Sequence, residues 1–256
     1  MIRFVLLAAC LVSASVQAWD CKYEKRIDQE LDLAGSEKLS VMAAAGDLEI
    51  TGTSDSQVAT IKGRVCVSEE DWLDESGVEL TAGKRAKIEV SMPDTSGWSL
   101  MGQRYAYIDL DIEVPDSLAL EVKDSSGDVE ISGVGAVSVK DSSGDVTIED
   151  SAGPVEVEDS SGDIEFADIK GDVTIESDSS GDITGHDIGG TVLVVSDSSG
   201  EIRFRDVSEN FIVERDSSGD ISAHRVGGDF EVMRDGSGDI NATDVEGEVR
   251  TPDDRG

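Results

Sequence analysis

Positive charge is scarce in this chain. Twenty-one lysines and arginines stand against 56 aspartates and glutamates, for a formal net charge of -35. Phosphate binding needs Lys and Arg stripes that are missing here, so nucleic acid is a poor partner, and the same sign disfavours docking on anionic lipid. Histidine is nearly absent as well. The two, His186 and His224, lie far apart in sequence and read as isolated, solvated surface residues on different coils. No metal-spaced histidine pair, Ser-His-Asp constellation or phosphate loop can be singled out. A transmembrane helix is excluded by the lack of a long apolar run. The run from Phe4 to Val12, preceded by Arg3 and followed by small residues ending Val16-Gln17-Ala18, fits a secretory signal peptide cut after Ala18. Leu7-Ala8-Ala9-Cys10 resembles a lipoprotein cleavage box, but cutting there leaves a signal shorter than export accepts. The predicted mature chain starts at Trp19 and is periplasmic or secreted.

Cysteine is equally sparse, and Cys10 leaves with the signal. An even pair, Cys21 and Cys66, remains. In an oxidising compartment such a pair reads as a disulfide that pins the mature N-terminus to a later strand. The competing metal or nucleophile reading lacks a histidine or a further cysteine nearby.

What the chain has in abundance is one pentad, Asp-Ser-Ser-Gly-Asp or a close variant. It recurs seven times, with glycines at Gly127, Gly144, Gly162, Gly181, Gly200, Gly219 and Gly238. The intervals are 17, 18 and then 19 residues four times running, the range for one coil of a stacked β architecture. Apolar residues follow the pentad glycine at fixed offsets, as Ile164, Phe166, Ile169, Val173 and Ile175 do after Gly162. Two stretches of strict alternation joined at a corner predict two short strands per coil. Gly153, Gly171, Gly190, Gly228 and Gly247 mark that second corner and suggest positive φ there. The fold class is therefore all-β, a β-solenoid of about 19-residue coils, with the last coil weakening toward Pro252.

Before about Leu120 the repeat is degenerate. Ile27 to Leu33, Leu39 to Met42, Leu48 to Thr51, Val58 to Val67, Ala86 to Met92 and Tyr105 to Val114 read as strands of an antiparallel-looking N-terminal capping module. Ser68 to Leu73 carries the hydroxyl cap and early acids of one short helix. Ala45-Gly46-Asp47-Leu48-Glu49-Ile50 imitates the later pattern, which predicts one continuous sheet. The organisation expected is a signal over 1–18, a β-rich module over 19–120, solenoid repeats over 121–251 and a tail over 252–256.

Stacking places Asp124, Asp141, Asp159, Asp178, Asp197, Asp216 and Asp235 in one column and Asp128, Asp145, Asp163, Asp182, Glu201, Asp220 and Asp239 in another. Two carboxylates about 4.8 Å apart repel by roughly 0.9 kcal/mol in water and about 3.5 kcal/mol at an effective dielectric of 20. Relief is needed, and two readings stand open. In one, the first Asp accepts N-H groups of its own turn and the serines bond along the stack. In the other, the carboxylates hold calcium, with Asp141, Asp145, Asp159, Asp163, Asp178 and Asp182 as the candidate ligands. Lys123 and Lys140 read as charge compensation for the ladder. An enzyme acting on acidic polysaccharide is a distant third alternative, because carboxylates this common specify no catalytic pair.

The irregular stretch from Met92 to Tyr105 interrupts the strands. Trp98, Met101 and Tyr105 are its candidates for a recognition loop, unless Trp98 folds back over the end of the sheet.

The pentads and Val-Gly-Gly half-repeats, with Val114-Pro115-Asp116-Ser117-Leu118-Ala119-Leu120 and the N-terminal Asp20-Cys21-Lys22-Tyr23, resemble the bacterial DUF4097 family of adhesin-like β-strand repeat proteins. The resemblance implies a bacterial extracytoplasmic β-solenoid, supports the Cys21 and Cys66 pairing, and transfers no catalytic residue or cofactor. The function expected is a non-enzymatic scaffold or binding protein of the cell envelope with a protein or glycan partner. Solenoid ends could also stack into homo-oligomers.

Overall fold

The computed structural model describes residues 21–54, 56–95 and 104–252. The segment read as a signal peptide, Trp98 and Met101, and the residues beyond Pro252 lie outside the described residues.

The N-terminal part runs β1 (Tyr23–Asp32), β2 (Lys38–Met42), β3 (Leu48–Thr53), β4 (Val58–Val67), α1 (Trp72–Glu75), β5 (Gly77–Thr81), β6 (Arg85–Ser91) and β7 (Ala106–Pro115). Short strands then alternate between two sheets: β8 (Ala119–Lys123), β9 (Val129–Ser132), β10 (Val137–Lys140), β11 (Val146–Glu149), β12 (Val155–Glu158), β13 (Ile164–Ala167), β14 (Val173–Ser177) and β15 (Ile183–Ile188). The last are β16 (Val192–Val194), β17 (Ile202–Val207), β18 (Phe211–Val213), β19 (Ile221–Val226), β20 (Phe230–Val232), β21 (Ile240–Val245) and β22 (Val249–Arg250).

Each sheet has eleven strands. The first is ordered β1-β4-β7-β3-β9-β11-β13-β15-β17-β19-β21 and the second β22-β20-β18-β16-β14-β12-β10-β8-β2-β6-β5. All repeat strands pair in parallel with the equivalent strand of the next coil, as Val146↔Ile164↔Ile183 illustrates. The alternation read from the sequence is the reason. Ile164, Phe166, Ile169, Val173 and Ile175 have no exposed surface, and their counterparts in neighbouring coils fill the same narrow interior between the sheets. The growth from 18 to 19 residues per coil is absorbed by a bulge: Glu158 of β12 pairs with Ser177 of β14, one residue out of step.

The N-terminal module is only partly antiparallel. β1, β4 and β7 pair antiparallel, as do β5 and β6. β2 and β3, however, pair in parallel with β8 and β9 and with β6 and β7, so they form a first coil of the solenoid itself. That makes the sheets continuous, as Ala45 to Ile50 predicted, and β5 is a strand the sequence reading did not identify.

The helix is shorter than expected and starts later. Ser68 does not cap it; its hydroxyl accepts the Tyr105 N-H at 3.2 Å, and the residue preceding α1, Asp71, makes no side-chain capping bond. Lys25 instead secures the far end, donating to the Leu73 and Ser76 carbonyls at 2.6 and 2.5 Å. Trp72 is buried beneath the Arg104 guanidinium, 4.6 Å from the ring centre. Nearby, Cys21 and Cys66 form a disulfide that ties the start of the described chain to β4.

Candidate functional site

The two pentad columns have different structural roles. Residues of the second column lie at the surface, and Asp128, Asp145, Asp163, Asp182 and Asp220 each accept the backbone N-H of the successor in the next coil on one carboxylate oxygen. Asp145 accepts from Asp163 at 2.9 Å, Asp163 from Asp182 at 2.9 Å and Asp182 from Glu201 at 2.8 Å. The same bond extends through the degenerate first coil, where Asp47 accepts from Asp128 at 3.3 Å and its own N-H donates to Asp109 at 3.3 Å. The serines bond along the stack as anticipated: Ser143 donates to the Ser125 carbonyl at 3.1 Å and Ser218 to that of Ser198 at 3.2 Å. Pentad glycines take positive φ, Gly181 at 134°, and a Cβ there would lie 1.8 Å from the Gly162 carbonyl oxygen.

The first column is internal. Asp124, Asp141, Asp159, Asp178, Asp197 and Asp216 are at most 6% exposed. In the early coils strand parity puts them there, since Asp159 simply continues the inward series Val155, Val157. Their carboxyls accept N-H groups of their own turn less fully than expected. Hydrogen bonds from Ser180 to Asp178 and from Ser218 to Asp216 form at 3.2 Å, and one from Ser237 to Asp235 at 3.1 Å. Both oxygens of Asp124, Asp141, Asp159 and Asp197 lack a hydrogen-bond partner. The N-H groups of the following serines approach these carboxylates and favour ionisation, but burial outweighs them and raises every member of this buried series. Asp124 is pushed up to about 7 and Asp178 to about 6. Asp197 also reaches about 7, first by burial and then through the charges of Asp178 and Asp216.

The candidate calcium ligands thus divide. Asp141, Asp159 and Asp178 are enclosed, whereas Asp145, Asp163 and Asp182 face outward on the hydrogen-bond ladder. Among the described residues no group of three or more His, Cys, Asp or Glu side chains converges to hold a metal ion. Lys140 does not compensate the Asp column; it pairs with Glu158 at 2.5 Å. Tyr105 belongs to the N-terminal packing, its hydroxyl accepting the Lys22 N-H at 3.1 Å.

The mid-coil corner differs from expectation. Positive φ falls on Asp150, Asp168, Asp187, Asp206, Arg225 and Asp244, while Gly153, Gly171, Gly190, Gly228 and Gly247 are not in that region. These glycines are demanded by contact instead: a Cβ on Gly190 would lie 2.2 Å from Asp172 Oδ1.

The outer face of the first sheet holds a feature that sequence reading missed. One row of outward residues runs Asp111, Glu49, Glu130, Thr147, Glu165 and then Thr184, Arg203, Ser222, Asn241. A parallel row ends Ala167, His186, Arg205, His224, Thr243. The two histidines are on different coils but are not isolated: both flank Arg205 in a single column, each five residues after its pentad glycine. A shallow depression of about 510 Å³ lies over this region. His186 Nδ1 is 2.9 Å from Asp187, and His224 Nδ1 is 2.8 Å from the Thr243 hydroxyl.

No family model matches the chain, and no curated protein matches it. Similar solved structures include a protein named as a putative cell adhesion protein from Clostridium sporogenes, 17% identical, covering 90% of this chain and 100% of its own with a TM-score of 0.39. A putative lipid binding protein from Parabacteroides distasonis is 16% identical, covering 88% and 96% with a TM-score of 0.39. A putative adhesin from Bacteroides fragilis is 14% identical, covering 89% and 97% with a TM-score of 0.38.

Proposed function

We propose that this chain is a non-enzymatic β-solenoid binding scaffold that works outside the cytoplasm, at the bacterial cell envelope or released from it, as its resemblance to the DUF4097 family implies. One observation carries the reading. Of the pentad side chains, the most ligand-like residues in the sequence, the outer carboxylates and the serines are engaged in stacking the coils and the inner carboxyls are enclosed. What repeats in this chain builds the scaffold, and what varies is displayed on its flat sheet faces, where recognition belongs. The Cys21–Cys66 disulfide supports an oxidising compartment.

The test is to express the full chain with a photoreactive residue at outward positions of the first sheet, such as Thr147 or Ser222, then fractionate the cells after irradiation. The expected result is an envelope or secreted protein with oxidised Cys21 and Cys66 and discrete crosslinked species. Cytoplasmic retention with free thiols, or no crosslink from any face, would overturn the proposal. So would depolymerisation of a polyuronate by the purified protein.

A further inference from the structure

On the outer face of the first sheet the charge changes sign along the rows. Toward the N-terminus the outward positions include Asp111, Glu49, Glu130, Glu149 and Glu165. Across β15, β17, β19 and β21 the eight equivalent positions hold no acid at all. In a chain with 56 acidic residues, that stretch holds two arginines, both histidines of the whole sequence, and four small hydroxyl or amide side chains.

The two arginines differ in their pairing. Arg203 and Arg205 are exposed. Arg203 pairs with Glu201 at the edge of the face, and Arg225, at the neighbouring corner, holds Asp206 through two bonds. Arg205, between the two histidines, has no carboxylate within ion-pairing distance among the described residues and feels Asp206 only through space. With Nδ1 of each histidine engaged on the chain, Nε2 is left for a ligand. Thr184, Ser222, Asn241 and Thr243 surround these groups with donors and acceptors suited to hydroxyls.

From this arrangement we infer that the β15 to β21 face is a binding site for an acidic polysaccharide whose carboxylate or sulfate groups meet Arg205 and Arg203 while its hydroxyls meet the flanking Thr, Ser and Asn side chains. The occupant has widely spaced charges. A densely charged polymer such as nucleic acid, or an anionic bilayer, would bring its remaining charges against the acidic rows and corners around the patch. A polysaccharide laid over the depression meets Arg205, the Glu201-paired Arg203 and a hydroxyl-rich margin, with Glu165 as the acid that lines it, which suits a sparser polyanion. This inference rests on the binding-scaffold reading.

The experiment measures binding of the purified full chain to polygalacturonate, to a carrageenan with one sulfate per disaccharide and to neutral dextran at fixed ionic strength, with double-stranded DNA and phosphatidylglycerol vesicles as competitors. Binding to at least one of the two charged polysaccharides, with dextran ignored, is expected; whichever binds identifies carboxylate or sulfate as the group recognised. R205E should weaken it by about tenfold or more, and K140E on the second sheet should leave it unchanged. Absence of binding to both polymers, equal losses in R205E and K140E, or displacement by DNA or vesicles in preference to the polysaccharides overturns the site. Both substitutions are at exposed positions and the melting curve checks the fold. Crosslinks in cells with no polysaccharide binding would refute this site while leaving the scaffold reading intact.

Discussion

Phe166 and Phe204 belong to coils that are not neighbours, yet their rings lie with centroids 6.2 Å apart, nearly parallel. The residue paired between them is Gly185. Its missing side chain leaves room for the rings to lean together, and a Cβ added there would sit 2.3 Å from Phe204 Cε1. Gly185 has no positive φ, so its conformation is open to other residues. Packing is what requires glycine.

Gly185→Ala should therefore destabilise the protein by roughly 1 to 3 kcal/mol, although glycine to alanine in a strand ordinarily helps. The double variant Gly185→Ala with Phe204→Leu should recover part of that loss in a denaturant melt. An unchanged midpoint in the single variant would mean that the rings repack freely.

The buried Asp column predicts stability that declines with rising pH. A carboxyl whose folded-state value is raised binds its proton more tightly when folded, so its contribution is fully present below the unfolded value near 4 and is lost as pH climbs through the folded values of about 6 to 7. The thermal midpoint should be lower at pH 8 than at pH 5 by several degrees, on the order of 5 to 10 °C. Asp197→Asn, a neutral side chain of the same shape, should raise the midpoint at pH 8 and change it little at pH 5. Equal effects at both pH values would show that Asp197 holds no proton.

The outer ladder makes a contrasting prediction. Asp163→Ala removes the acceptor for the Asp182 N-H and should cost about 1 kcal/mol, while Asp163→Asn keeps an oxygen in place and should cost less. Chemical denaturation of the two variants separates a hydrogen-bonding role from a charge role. Equal effects of the two variants would assign the column to charge, which both remove.

Calcium should add little. With Asp145, Asp163 and Asp182 each holding a backbone N-H and the inner column enclosed, millimolar calcium is expected to raise the midpoint no more than magnesium at matched ionic strength, relative to EDTA. A calcium-specific rise would make the pentads ligands after all.

The coils were legible in the sequence because period-two alternation and a glycine at a fixed interval leave few other ways to bury Ile164, Phe166, Val173 and Ile175. The inner Asp column was legible in principle: Asp159 stands in step with Val155 and Val157, but a charged residue discourages extending an apolar count. The mid-coil corners were misread for a different reason. Glycine permits positive φ without requiring it, and there the neighbouring aspartates, or Arg225 in one coil, take the left-handed conformation while glycine yields space to the coil below. The column of His186, Arg205 and His224 needed only the offset from each pentad glycine. Sequence distance concealed it, since 19 residues of separation become a single strand spacing in a solenoid.

Each pentad glycine presses its bare Cα against the carbonyl of the glycine one coil away, which makes chain length a quantised property. A coil can be removed or duplicated whole, because every pentad glycine presents the same surface to its neighbour, whereas the loss of residues within a coil has to be taken up inside that coil, as the bulge at Glu158 takes up one, for the glycine contacts of later coils to persist. Cutting out the coil that carries Gly185 would pair Phe166 directly with Phe204, an arrangement the interior already holds where Phe211 and Phe230 stack 5.3 Å apart in adjacent coils, so the vacant place would leave together with the coil that made it necessary.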